Sequence, residues 1–152
     1  MNANDSAELY HDQMIGMRNA FGVMAGCPRA GLRKWRGCLR AWTSRARVSW
    51  ISGCGAGGID VLLVGTHGAG YVTGIDVEDT VLSHARERAA KAGFAAQIGF
   101  VKVVPGPLSF SPQTFYAVFS KDSIVHIPDK HTLMRDVFSI QKPGGWFVAS
   151  DC

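Results

Sequence analysis

Between Gln13 and Ile59 this 152-residue chain has no aspartate or glutamate, yet half of its sixteen Lys and Arg lie there. They are Arg18, Arg29, Arg33, Lys34, Arg36, Arg40, Arg45 and Arg47. The stretch therefore carries +8, and because the whole chain carries +4 the remainder carries −4. Three of the four tryptophans (Trp35, Trp42, Trp50) fall in the same region. Other absences are equally informative. Cys27, Cys38, Cys54 and Cys152 form no C-x-x-C pair, which favours neither a zinc site nor a disulfide framework and leaves reduced thiols in a cytoplasmic protein. No apolar run reaches the length of a bilayer span, and Met1-Asn2-Ala3-Asn4-Asp5 lacks the basic start of a signal peptide, so no membrane is expected as a partner. Hydrophobic residues make up 47% and charged residues 18%, a globular composition in a chain long enough for one proper core.

What is present is a glycine-rich turn, Gly53-Cys54-Gly55-Ala56-Gly57-Gly58, followed by Tyr71-Val72-Thr73-Gly74-Ile75-Asp76. Glycines let the backbone approach a ligand without Cβ clashes. An acid about 20 positions later, at the end of the next strand, can grip the hydroxyls of a ribose. Together they indicate a nucleoside-containing cofactor. The spacing fits G-x-G-x-G, usual for S-adenosylmethionine, and also G-x-G-x-x-G, usual for dinucleotides.

Downstream the chain alternates between strand and helix patterns. Residues 59–64 suit a helix after the turn, and 71–75 a short strand closed by Asp76. Asp79 or Thr80 can cap a helix through about Ala92, stopped by Gly93. Strand-like runs follow at 98–104 and 115–119, then an amphipathic helix from Asp129 or Lys130 to Gln141. Pro143-Gly144-Gly145 ends that helix, and 146–149 begins a last strand. This alternation predicts an α/β fold, a Rossmann-like, doubly wound, mostly parallel sheet. Ligands of such sheets lie at the carboxyl ends of the strands, near the switch in strand order. Gly53, Asp76 and residues 120–126 then border one crevice.

Ser120-Lys121-Asp122-Ser123-Ile124-Val125-His126-Ile127, then Asp129-Lys130, then Lys142-Pro143-Gly144-Gly145, resembles the class I S-adenosylmethionine-dependent methyltransferases. Within them it is most similar to the phosphoethanolamine N-methyltransferase branch and its bacterial relatives. The resemblance covers about residues 53–151, with a weaker echo at 10–22, and divides the chain into a basic N-terminal helical or cap segment (1–52) and a partial methyltransferase domain (53–152). It implies S-adenosyl-L-methionine as cofactor and a small-molecule methyl acceptor such as an amine of the phosphoethanolamine kind. It also implies that Gly53, Cys54, Gly55 and Gly57 hold the methionine end and that Asp76 and Val77 hold the nucleoside. Ser120 and Asp122 fall at the cofactor–substrate boundary. His126 matches a histidine that takes the acceptor's proton, and Tyr10 a tyrosine that closes over the site; no metal is implied.

The departures from the family pattern are specific. An acid that contacts the adenine amino group is replaced by Lys102-Val103-Val104-Pro105. The first strand would be Arg47-Val48-Ser49-Trp50-Ile51-Ser52, a poor central strand. The chain stops at Cys152, before the closing antiparallel hairpin of the fold. A marginal, aggregation-prone chain with impaired turnover is the resulting expectation. The basic stretch reads as a pair of compensating frameshifts: with GC-rich codons, 32–39 moved by one base becomes Pro-Glu-Glu-Val-Ala-Arg-Val-Leu, an acidic helix start. The nucleotide sequence of the gene tests this directly. The alternative is a non-enzymatic nucleic-acid-binding protein that uses the Arg/Trp segment 29–47, detectable as salt-steep retention on DNA or RNA.

Overall fold

The computed structural model describes residues 24–25, 48–121 and 123–150. Their strands are β1 (Met24–Ala25), β2 (Val48–Ser52), β3 (Tyr71–Asp76), β4 (Ile98–Lys102), β5 (Phe115–Lys121) and β6 (Gln141–Ser150). They form one sheet in the order β1-β6-β5-β2-β3-β4, with every neighbouring pair parallel. Among the described residues, three helices make crossovers: α1 (Gly58–Gly65) between β2 and β3, α2 (Asp79–Lys91) between β3 and β4, and α3 (Lys130–Ile140) between β5 and β6. The chain runs outward from β2 to β4, then returns to β5 on the other side of β2. That reversal is the switch point.

The predicted doubly wound sheet is therefore present, and residue alternation explains its two layers. On β5, Ala117 and Phe119 pack with Leu63 and Val64 of α1 and Leu82 and Ala89 of α2. Val118, between them, packs with Leu133, Met134, Val137 and Ile140 of α3. Successive strand residues point to opposite faces, so a continuous apolar run is what a strand covered on both sides needs.

The run 47–52, a poor central strand by its side-chain pattern, does take the central place expected of the first strand: β2 pairs with β3 on one side and β5 on the other. Backbone hydrogen bonding holds it there. Two other expectations are corrected by the structure. At 98–104 the strand stops at Lys102, and the Val103 amide makes the last bond of the parallel ladder by donating to the carbonyl of Asp76 (3.0 Å). Pro143-Gly144-Gly145 does not end the last helix. Helix α3 ends at Ile140, and Gln141 is already extended at φ −79 and ψ 142. The Lys-Pro-Gly-Gly segment instead forms a wide bulge inside β6, where the register jumps from Phe115↔Gln141 to Ala117↔Trp146. The Gln141 side chain closes the bulge by donating from Nε2 to the Trp146 carbonyl at 2.6 Å. At Gly145 a Cβ would lie 2.8 Å from the Lys142 carbonyl oxygen and 2.9 Å from that of Tyr116.

Candidate active site

The turn between β2 and α1 is built from left-handed glycines. Gly53, Gly55 and Gly57 have φ of 64, 53 and 74, values that a residue with a Cβ adopts only with strain. Two of the three are also pressed against other elements. A Cβ on Gly53 would lie 2.5 Å from Cβ of Ser123, and one on Gly57 would lie 3.0 Å from Cβ of Ala85 on α2. Gly55 differs, since beyond its chain neighbours no atom of the described residues lies within 4 Å of the place a Cβ would take. Among the described residues, the middle of the turn is open, as a turn that cradles a ligand must be.

Asp76 ends β3 beside this opening. Its Oδ2 accepts from the Gly55 amide at 3.0 Å, and its Oδ1 accepts from the amides of Val77 (2.8 Å) and Glu78 (3.2 Å). The carboxylate thus ties the glycine turn to the next strand and fixes its own orientation. Of about four lone-pair positions on a carboxylate, one remains for a hydroxyl arriving from the crevice. The Val77 side chain beside it is exposed. Cys54 contributes backbone to the turn, but its side chain belongs to the core. Burial first, and then the nearby carboxylates of Asp60 and Asp76, push its thiol up to about 12, so it stays neutral.

Across the switch point, three serines join the turn to β5. The Ser123 hydroxyl donates to the Ser52 carbonyl at 3.0 Å and lies 2.8 Å from the Ser120 hydroxyl. With its proton committed to Ser52, Ser123 accepts from Ser120. Ser120 is only 1% exposed, so it acts by holding this cluster. His126 follows in a short 3-10 turn, Ile124–His126, with its amide donating to the Ser123 carbonyl at 3.2 Å. Its imidazole is exposed at the carboxyl end of β5. Gly53, Gly55, Asp76 and His126 therefore stand on the loops at that end of the sheet. Asp122 and Tyr10 lie outside the described residues, as do Cys27, Cys38, Cys152 and the basic segment 29–47.

At the outer edge of the crevice, Lys102 ends β4 and pairs with Asp79 of α2. That bond, and the negative charge behind it, raise the Lys102 ammonium further. Val104, just beyond, is 76% exposed. This edge thus presents a neutralised ion pair and an apolar side chain where the family pattern has an acid.

Residues 52–145 match the methyltransferase-domain family. The chain belongs to that family. The methyltransferase match begins at Ser52 and so takes in the glycine turn, Asp76 and the 120–127 string. Among curated proteins, the chain is 36% identical over 99 residues to "Phosphoethanolamine N-methyltransferase 1" of Triticum aestivum, covering 65% of this chain and 19% of that protein. It is 29% identical over 146 residues to "Ubiquinone/menaquinone biosynthesis C-methyltransferase UbiE" of Brucella anthropi, covering 92% of this chain and 56% of that protein. Among solved structures it is similar to Phosphoethanolamine N-methyltransferase 2 of Haemonchus contortus in complex with S-adenosyl-L-methionine. That likeness has a TM-score of 0.61 at 29% identity and covers 67% of this chain and 24% of the other. The chain spans little more than half the length of these curated relatives at most. S-adenosylmethionine is the methyl donor of the family, and an open turn with an acid at the end of the following strand fits it. Among the described residues, no helix is long and apolar enough to cross a membrane.

Sequence reasoning passed over Asp60. It lies on α1, is fully buried, and among the described residues neither of its carboxylate oxygens has a hydrogen-bond partner. Burial pushes its carboxyl up to about 7. The visible signal was a single acid interrupting the apolar run 59–64.

Proposed function

We propose that this chain forms the donor-binding part of an S-adenosylmethionine-dependent methyltransferase acting on a small amine such as phosphoethanolamine. The observation that carries the reading is the bond from the Gly55 amide to Asp76, which couples an open glycine turn to a carboxylate at the crevice. When bound, the donor supplies an electrophilic methyl group on a sulfonium. Gly53, Cys54, Gly55 and Gly57 would meet its methionine end through backbone, and Asp76 and Val77 its nucleoside. The protein's part is alignment and the exclusion of water. An ammonium acceptor must lose a proton before its nitrogen can attack, and the exposed His126 imidazole is the proposed base. Ser120 and Ser123 hold the loop that carries His126, and Tyr10 and Asp122 complete the proposed site.

Calorimetric titration of the chain with S-adenosylhomocysteine tests the donor half. Micromolar binding that Asp76→Ala removes supports it, and a folded chain that binds nothing overturns it. The similarity to the ubiquinone/menaquinone biosynthesis C-methyltransferase, which extends over nearly the whole chain, supports a second acceptor class, a quinone precursor methylated at carbon. Assays with phosphoethanolamine and with a demethylated quinol separate the two. Amine methylation should fall steeply at low pH and with His126→Ala.

A further inference from the structure

Asp60 occupies the space that Gly74 leaves by having no side chain. A Cβ on Gly74 would lie 2.5 Å from Oδ1 of Asp60 and 2.9 Å from Cβ of Cys54. The carboxyl is thus seated between Gly74 of β3 and Cys54 of the glycine turn. A valine or leucine would pack there without the cost of burying an unpaired polar group. Among the described residues, the titratable groups on the packed elements do not relieve it. Cys54 stays neutral, and Asp76 spends its oxygens on three amides. Tyr71 of β3 reaches across to Gly99. On α2, Arg86 donates to the Phe100 carbonyl, Arg88 lies near Gly58, and His84, Glu87 and Lys91 are exposed. Lys102 of β4 is held by Asp79.

We infer that Asp60 is a positioning residue that senses ligand charge: seated against the glycine turn, it gives up a proton when a cationic ligand fills that turn. A buried carboxyl loses its proton when a positive charge arrives nearby, because that charge offsets the cost of burial. The proton leaves to solvent when the sulfonium donor binds. It returns once methyl transfer has converted the sulfonium to a neutral thioether, so the turn distinguishes donor from spent product. This inference rests on the donor-binding reading above.

The test is titration of the full chain with S-adenosylmethionine and with S-adenosylhomocysteine, in two buffers of different ionisation heat, which counts protons released per ligand. At pH 7 a one-unit fall in the Asp60 pKa releases about 0.4 proton more with the sulfonium than with the thioether. Asp60→Asn should abolish that difference while S-adenosylhomocysteine still binds. Equal proton counts with both ligands, or a difference undiminished in the Asn variant, overturn the inference. If the variant does not fold, the wild type at about pH 9 decides, since Asp60 is then already ionised and a persisting difference must come from another group. Absence of binding by either ligand overturns the donor reading itself, and this inference with it.

Discussion

The glycines of the 53–58 turn differ from one another in what confines them. Gly53→Ala puts a Cβ at φ 64 and 2.5 Å from Ser123, so it should cost about 1–3 kcal/mol in strain and loosen the loop that carries His126. Asp76→Ala removes a carboxylate that accepts three amides. Because hydrogen bonds to charged groups contribute about 1.5–3 kcal/mol each, S-adenosylhomocysteine affinity should fall by roughly a hundredfold. Asp60 makes stability depend on pH. Its carboxyl is raised from 3.8 to about 7 on folding, so between those values the unfolded chain has released a proton that the folded chain still holds. Stability therefore falls as pH rises through that window, by about 4 kcal/mol in all, and is level above it. Denaturant titrations near pH 4 and pH 8 should show this slope in the wild type and lose it in Asp60→Asn. Asp76 was legible in sequence because its distance from the turn follows from one strand–helix–strand unit. Asp60 and the serine cluster were not, because their roles depend on contacts such as Ser123 to Ser52, which are 71 positions apart.

Helices and strands formed largely where periodicity put them, and their ends moved where tertiary contacts intervened. Helix α2 begins one residue past Glu78 instead of being capped by Asp79 or Thr80, and Asp79 is spent on Lys102. Helix α3 follows its pattern more closely, with Asp129 as N-cap accepting from the Thr132 amide at 2.9 Å. The larger departure is the bulge in β6. A Pro-Gly-Gly run reads as a helix stop from local propensity, but here it lets five positions of β6 span two of β5 before pairing resumes. Gly145→Ala would set a Cβ against two carbonyl oxygens. It should cost about 1–3 kcal/mol, read as a lower urea midpoint. The fate of 48–52 has the opposite lesson. Ser49 and Ser52 made it a weak strand by side-chain pattern, yet both neighbours supply a full parallel ladder.

At the scale of the whole molecule, the switch point between β2 and β5 gathers the turn, Asp76 and His126 at one end of the sheet. A ligand bound there touches loops from both halves of the order and should stabilise the fold as a unit. At one hundred times its dissociation constant, S-adenosylhomocysteine adds about 2.7 kcal/mol. That corresponds to a rise in Tm of roughly 5–10 °C for a chain of this size, absent in Asp76→Ala. The element order, the parallel sheet, the methyltransferase ancestry and the positions of Gly53, Asp76 and His126 could all be read from the chain before any fold was known. Each is carried by local periodicity or by a motif within one βαβ unit. Folding assigned what no local window holds: which side of β2 receives β5, why Gly74 must be glycine, and that an aspartate from an apolar helix ends up buried against the ligand turn. Those outcomes come from close packing between residues far apart in sequence, where one missing Cβ or one buried oxygen changes what its neighbours can be.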